Sequence, residues 1–262
     1  MRALAETPGL LAHWCNLSRP SRIASMVLTI IAGIGISQAA PKLNAAQENR
    51  VAIESQGWQL IGDLILPSAD EPLPFVIMLN QADGNRTAYQ DLAEQLGNQR
   101  IGSLRLDLRG HGESTNQGRF VPGEASSRDL IFEAEADVVA ALRFVRSNER
   151  IDGSRIALIG ASYSGEEMLE ASRMVGYVKA YALLSPGSLS EESVISLDTS
   201  GASCLFIAAS EDVYLQDITK LVQERSQNIE IVLLPGTAHG TDLLEQQAGL
   251  SEQLAQWLAR HL

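Results

Sequence analysis

From residue 50 onward, short apolar runs alternate with stretches of helical periodicity, and the connections between them are brief. "FVIMLN" (75–80), "IGSLRLDL" (101–108), "RIALIGAS" (155–162), "VKAYALLS" (178–185), "CLFIAAS" (204–210) and "IEIVLLPG" (229–236) read as strands. Their continuous apolar character suits strands buried on both faces. Between them, 87–100, 127–148, 166–175, 213–226 and 242–262 read as helices, with Thr87 as a cap and Gly97 as an end for the first. Ahead of the alternation, "VAIESQGWQLIGDLILP" (51–67) reads as an antiparallel hairpin turning at Gly57. Such alternation leaves few folds open. A mostly parallel sheet with helices on both faces is expected, as one domain over 50–262. A hydrophobic fraction of 45% in 262 residues supplies its core.

A formal net charge of -12 without a basic stripe excludes a nucleic-acid partner. No histidine or cysteine spacing suits a metal, no glycine-rich phosphate loop is present, and no cofactor is expected. Arg19 and Arg22 precede an uncharged run of about fifteen residues, Ile23 to Ser37, followed by small residues. That pattern describes a secretory signal cleaved after Ala39, with Ser37 at minus three. An uncleaved anchor and a misplaced start codon are the alternatives, since a bilayer span needs about 20 apolar residues. The expected organisation is a signal or anchor over 1–39, a linker over 40–49 and the domain after it. The protein is then periplasmic or secreted, with a membrane contact only if the segment stays attached. Of two cysteines, Cys15 lies in that segment, and Cys204 reads as a buried strand residue that cannot form a disulfide within the domain.

The chemistry concentrates at strand ends. "IGASYSG" (159–165) nearly spells the Gly-x-Ser-x-Gly elbow, with Ser164 in place of the second glycine and Gly165 one position late. Taken alone it is either a nucleophile elbow for Ser162 or an ordinary small-residue turn. A serine hydroxyl needs a base beside it. "IAASEDVY" places Asp212 just past a strand, with Glu211 as its competitor, and "LLPGTAHGTDLL" places His239 after the last strand. The order Ser162, Asp212, His239, each at the carboxyl end of a strand, fits a triad in the crevice where such sheets hold their sites. The other histidines are His13, His111 and His261.

On "IGASYSG", "SEDVY", "TAHGTD" and "DLRGHGES" (107–114), the chain over 50–262 resembles the α/β-hydrolases, most of all the small dienelactone-hydrolase-like and esterase-like members. The resemblance implies an α/β-hydrolase fold, a Ser162–His239–Asp212 triad, and an oxyanion hole of two backbone N–H groups. Tyr163 supplies one; the other comes from Ala82, with Gln81 as the alternative, because "MLNQADGNR" departs from the family's His-Gly pair. It further implies that Arg109, Gly110, His111 and Gly112 are architectural. Asp83 and Arg86 are expected to pair within their loop, with a substrate contact for Arg86 as the alternative. The segment 185–203 leaves little or no room for a lid. The expected activity is hydrolysis of a small ester, lactone or thioester. The alternatives are a non-catalytic binding protein of this fold and a small peptidase.

Overall fold

The computed structural model describes residues 47–262 apart from Gln227. The expected signal or anchor over 1–39 lies outside the described residues, as does most of the expected linker over 40–49. The first strand already begins at Gln47, inside that linker.

Strands β1 (Gln47–Ser55) and β2 (Trp58–Leu66) form the expected hairpin, with Gln56 and Gly57 both at positive φ in its two-residue turn. That conformation matches the twist of the flanking strands. Strands β3 (Leu73–Leu79), β4 (Gly102–Leu106), β5 (Ile151–Ala161), β6 (Ala180–Leu184), β7 (Ser203–Ala209) and β8 (Ile229–Leu234) follow. The sheet order is β1-β2-β4-β3-β5-β6-β7-β8. β2 runs antiparallel to β4, and every pair from β4 to β8 is parallel.

Alternate residues of the central strands feed two separate cores. Phe75, Ile77 and Leu79 point to one face, where they join Leu142 of α3 (Glu135–Arg146), Met168 of α4 (Ser164–Val175), Val194 of α5 (Glu191–Ser200) and Val222 of α6 (Leu215–Arg225). Val76 and Met78 point to the other, with Leu92 and Leu96 of α1 (Gln90–Asn98), Leu243 of α7 (Asp242–Gln246) and Leu254 and Trp257 of α8 (Leu250–His261). Each such side chain, fully buried, contributes about 1.5–3 kcal/mol. The two-sided burial explains why these strands read as continuous apolar runs.

Three local expectations change. The first helical segment opens as a single 3-10 turn, Arg86–Tyr89, capped by Asn85 rather than Thr87: the Asn85 side-chain Oδ1 accepts from the Thr87 N–H at 2.9 Å. The chain runs one residue past Gly97 before α1 ends. The long helix over 127–148 is two, α2 (Ser126–Phe132) and α3, broken at Glu133 and Ala134. The break sets Glu133 and Asp137 against the fully buried Arg109, with contacts of 2.7 and 2.8 Å. The final segment also splits, into α7 and α8, with Gly249 at φ 80° between them. Segment 185–203 holds α5, whose Val194 and Leu197 are buried in the sheet-covering core. It is therefore a packing helix.

Candidate active site

Ser162 occupies the turn between β5 and α4, at φ 55°. A non-glycine residue in this region costs about 1–3 kcal/mol, which the surrounding packing must hold in place. The neighbours show why the turn needs small residues. A Cβ on Gly160 would sit 2.6 Å from the Ser164 carbonyl oxygen, so no larger residue fits there. Ser164 is fully buried, and its hydroxyl accepts from the Ala161 N–H at 2.8 Å. That bond, with a second from the hydroxyl to the Ala161 carbonyl at 2.9 Å, shows how a buried serine is accommodated in place of glycine.

The loops after β7 and β8 bring two further groups to this serine. His239 Nε2 lies 2.9 Å from Ser162 Oγ. His239 Nδ1 lies 2.8 Å from Asp212 Oδ2. Asp212 is buried, and its other oxygen accepts from the Tyr214 N–H at 3.1 Å. A carboxylate only accepts, so the ring carries its proton on Nδ1 and leaves the Nε2 lone pair for the serine O–H. Glu211, the competitor for the acid position, is exposed, and its backbone N–H donates to the Gly236 carbonyl. The Tyr214 ring lies 4.8 Å from the His239 ring. The structure thus places Ser162, His239 and Asp212 in one hydrogen-bonded chain, and leaves Glu211 outside it.

Tyr163 follows the serine in the elbow, and Ala82 lies in the loop after β3, the strand that pairs with β5. Among the described residues, neither N–H is taken by a protein acceptor. Gly187, in the loop after β6, faces the same space. A Cβ there would lie 3.1 Å from Ser162 Oγ and 3.7 Å from the Tyr163 nitrogen. The space beside both groups is therefore kept clear by the absence of a side chain.

The β3 loop is held from three sides. Asn80 Oδ1 accepts from the Leu108 N–H at 2.9 Å. Gln81 Oε1 accepts from the Thr241 N–H at 2.7 Å, and Gln81 Nε2 donates to Asp83 Oδ1 at 2.9 Å. Gln81 is buried, and its side chain ties this loop to the one carrying His239. The third hold is His111, whose Nε2 meets the Ala82 carbonyl oxygen at 2.9 Å. Burial lowers the His111 pKa from its ordinary value, opposed by the carbonyls of Arg109 and Ala82 and by Asp107 and Asp137.

Arg86 departs from its expected pairing with Asp83. Its guanidinium turns inward to Asp107 at 2.6 Å, Asp63 at 2.9 Å and Glu113 at 2.6 Å, and these carboxylates hold its pKa above the usual value against desolvation. Arg50 joins the same network through Glu113. With its charge spent on three carboxylates beneath the loop, Arg86 is not available to a substrate. Sequence reasoning left out the side-chain role of Gln81 and the position of Gly187. Gln81 carried one signal, its departure from the expected pair. Gly187 carried none beyond being small after a strand.

No protein-family profile matches the chain, and no curated protein sequence matches it. Solved structures do resemble it. A dienelactone hydrolase from Anabaena variabilis is 19% identical, with a TM-score of 0.61 over 82% of this chain and 96% of the other. An alpha-beta serine hydrolase homologue from Coxiella burnetii is 21% identical, with a TM-score of 0.60 over 82% and 97%. A dienelactone hydrolase-like promiscuous phosphotriesterase from metagenomic libraries is 19% identical, with a TM-score of 0.63 over 82% and 98%. At these identities the likeness is one of fold.

Proposed function

We propose that this chain, which has the α/β-hydrolase fold, is a serine hydrolase that cleaves ester-like acyl bonds of small molecules. The observation that carries the reading is the hydrogen-bonded series Ser162–His239–Asp212, at 2.9 and 2.8 Å. The likeness to hydrolases and esterases supports the broader class.

On this reading, Ser162 Oγ attacks the acyl carbon while its proton passes to His239 Nε2. Asp212 orients the ring and stabilises its charged form. The developing oxyanion accepts from the Ala82 and Tyr163 N–H groups. The tetrahedral species collapses, the bond to the leaving oxygen breaks, and His239 gives that oxygen its proton. Water then repeats the sequence on the acyl-enzyme: its proton goes to His239, its oxygen forms the acid product, and Ser162 leaves with the proton returned. Each group does something only its chemistry allows. We further propose export with removal of residues 1–39, to be read by intact mass in the native envelope fraction.

The test of the reaction is Ser162→Ala. Loss of the nucleophile from a triad costs about 10⁶ in kcat. We expect p-nitrophenyl acetate hydrolysis and fluorophosphonate labelling to disappear, with the unfolding temperature at or above that of the native chain, since the hydroxyl packs into no core. A wild-type chain that neither turns over nor takes the label would sink the reading and leave a hydrolase-fold binding protein.

A further inference from the structure

The "RGHG" stretch reads as architecture, and the buried Arg109 with Asp137 fits that. His111 does something more specific. It lies under the candidate oxyanion hole and touches the residues on both sides of it. Its Nε2 meets the carbonyl oxygen of Ala82 at 2.9 Å, and its ring stacks on Tyr163 with centroids 5.7 Å apart and planes 24° apart. Phe120 covers the opposite face at 4.9 Å and 20°. Nδ1 lies 2.8 Å from the Arg109 carbonyl oxygen, so two acceptors face a ring whose neutral form carries one N–H. His111 is 3% exposed.

We propose that His111 is a positioning residue for the oxyanion hole, one ring that sets both backbone donors at once. The inference rests on the serine-hydrolase reading above. The physical argument concerns peptide planes. A peptide N–H is rigidly opposed to the carbonyl across its own plane, and neighbouring planes turn about only two dihedrals. Anchoring the Ala82 carbonyl therefore limits how the loop carrying the Ala82 N–H can rotate. A carbonyl only accepts, so the anchor needs the proton on Nε2, and the neutral ring then donates to Ala82 and not to Arg109. The stacked face limits Tyr163 in the same way, through the side chain on the Cα next to its N–H. Asn80 and the Gly84 N–H already hold the Gln81 carbonyl, across the peptide from the Ala82 N–H, and His111 adds a hold on the next peptide plane from outside the loop.

The experiment compares two substitutions. His111→Phe keeps a flat ring between Phe120 and Tyr163 and removes the N–H. His111→Gln restores an N–H toward Ala82 and removes the stack. Removing a donor from an oxyanion hole costs about 10²–10³ in rate, and misplacing one costs up to about 10². For His111→Phe we expect kcat on p-nitrophenyl acetate to fall by about 10–100-fold, with KM within about threefold of wild type. A trifluoromethyl ketone adds Ser162 Oγ to its carbonyl carbon, sends the serine proton to His239 and leaves an oxyanion in the hole. Its affinity should fall by a factor similar to that for kcat, and His111→Gln should recover part of both. A folded His111→Phe with kcat and ketone affinity within about twofold of wild type overturns the proposal, as does a change confined to KM. If His111→Phe does not fold, Phe120→Leu, which loosens only the outer face of the stack, decides. A lower kcat at constant KM supports the proposal, and an unchanged kcat overturns it. Fluorophosphonate labelling of wild type separates the two levels. A labelled wild type with an unaffected variant removes only the positioning role, and an unlabelled, inactive wild type removes the hydrolase reading and this inference with it.

Discussion

Asp212 and Glu211 are adjacent carboxylates, and only one of them reaches the imidazole. Asp212 is buried with an oxygen 2.8 Å from His239 Nδ1, whereas Glu211 faces solvent. In a template triad the Asp-to-Asn change costs about 10⁴ in kcat, because the amide favours the wrong tautomer. We expect a loss of that order for Asp212→Asn and less than about threefold for Glu211→Gln, measured on one activated ester with both variants folded. A crippled Glu211→Gln would reassign the acid and spare the fold. If neither variant slows, the histidine works without an acid and the triad reading fails. At this scale the positions of Ser162, Asp212 and His239 were legible in the sequence, because each follows an apolar run and the order is restrictive. The partners of Arg86 were not. Asp63, Asp107 and Glu113 come to it from β2, the end of β4 and the turn beyond, and no local pattern links them.

Between α3 and α4 lies a group of carboxylates that the chemistry does not use. Glu167 of α4 is 6% exposed, and burial, helped by Glu170, Glu135 and Glu166, pushes its pKa up to about 8. The folded chain therefore binds a proton there that the unfolded chain releases near 4.5. Stability from this group is complete below about pH 4.5 and is lost as pH rises through about 8. Each pH unit within that window costs up to about 1.4 kcal/mol. Glu167→Gln should leave the unfolding temperature little changed at pH 5 and raise it by a few degrees at pH 9, read by thermal denaturation. Equal midpoints at pH 9 would mean that the folded carboxyl ionises in the ordinary carboxylate range. Element type was legible wherever the apolar period was strong, as in β3, β5 and α4. Element limits were not. Glu133 and Ala134 are ordinary helix residues, so the joint between α2 and α3 answers a buried guanidinium on another segment. Gly249 gave a local sign of the α7–α8 joint, which the strong apolar period of 242–262 concealed.

Across the whole molecule, the parallel block from β4 to β8 directs all its carboxyl ends to one edge, and the groups of the site hang from β3, β5, β7 and β8 there. The sheet and its two-sided covering followed from the alternation of the sequence. The order β1-β2-β4-β3 did not, because nothing local to β4 states that it lies between β2 and β3. α5, the helix of the segment where a lid would be inserted, packs on the sheet, and the space beside Ser162 is kept clear by Gly187. We expect kcat/KM for p-nitrophenyl acetate or butyrate to exceed that for the palmitate by about tenfold or more, with no rise in rate as the long ester forms aggregates. About 1–3 kcal/mol of pocket contact suffices for such a ratio. A preference for the palmitate would instead require an apolar groove over the site. The strand order has one further consequence, in time. Ribosomes deliver Ser162 first, Asp212 next and His239 only after the edge strand β8 has been made. A serine without its base is a poor nucleophile. On the proposed reading the chain gains its reactivity only once β8 has joined the sheet and the loop after it has carried His239 to Ser162.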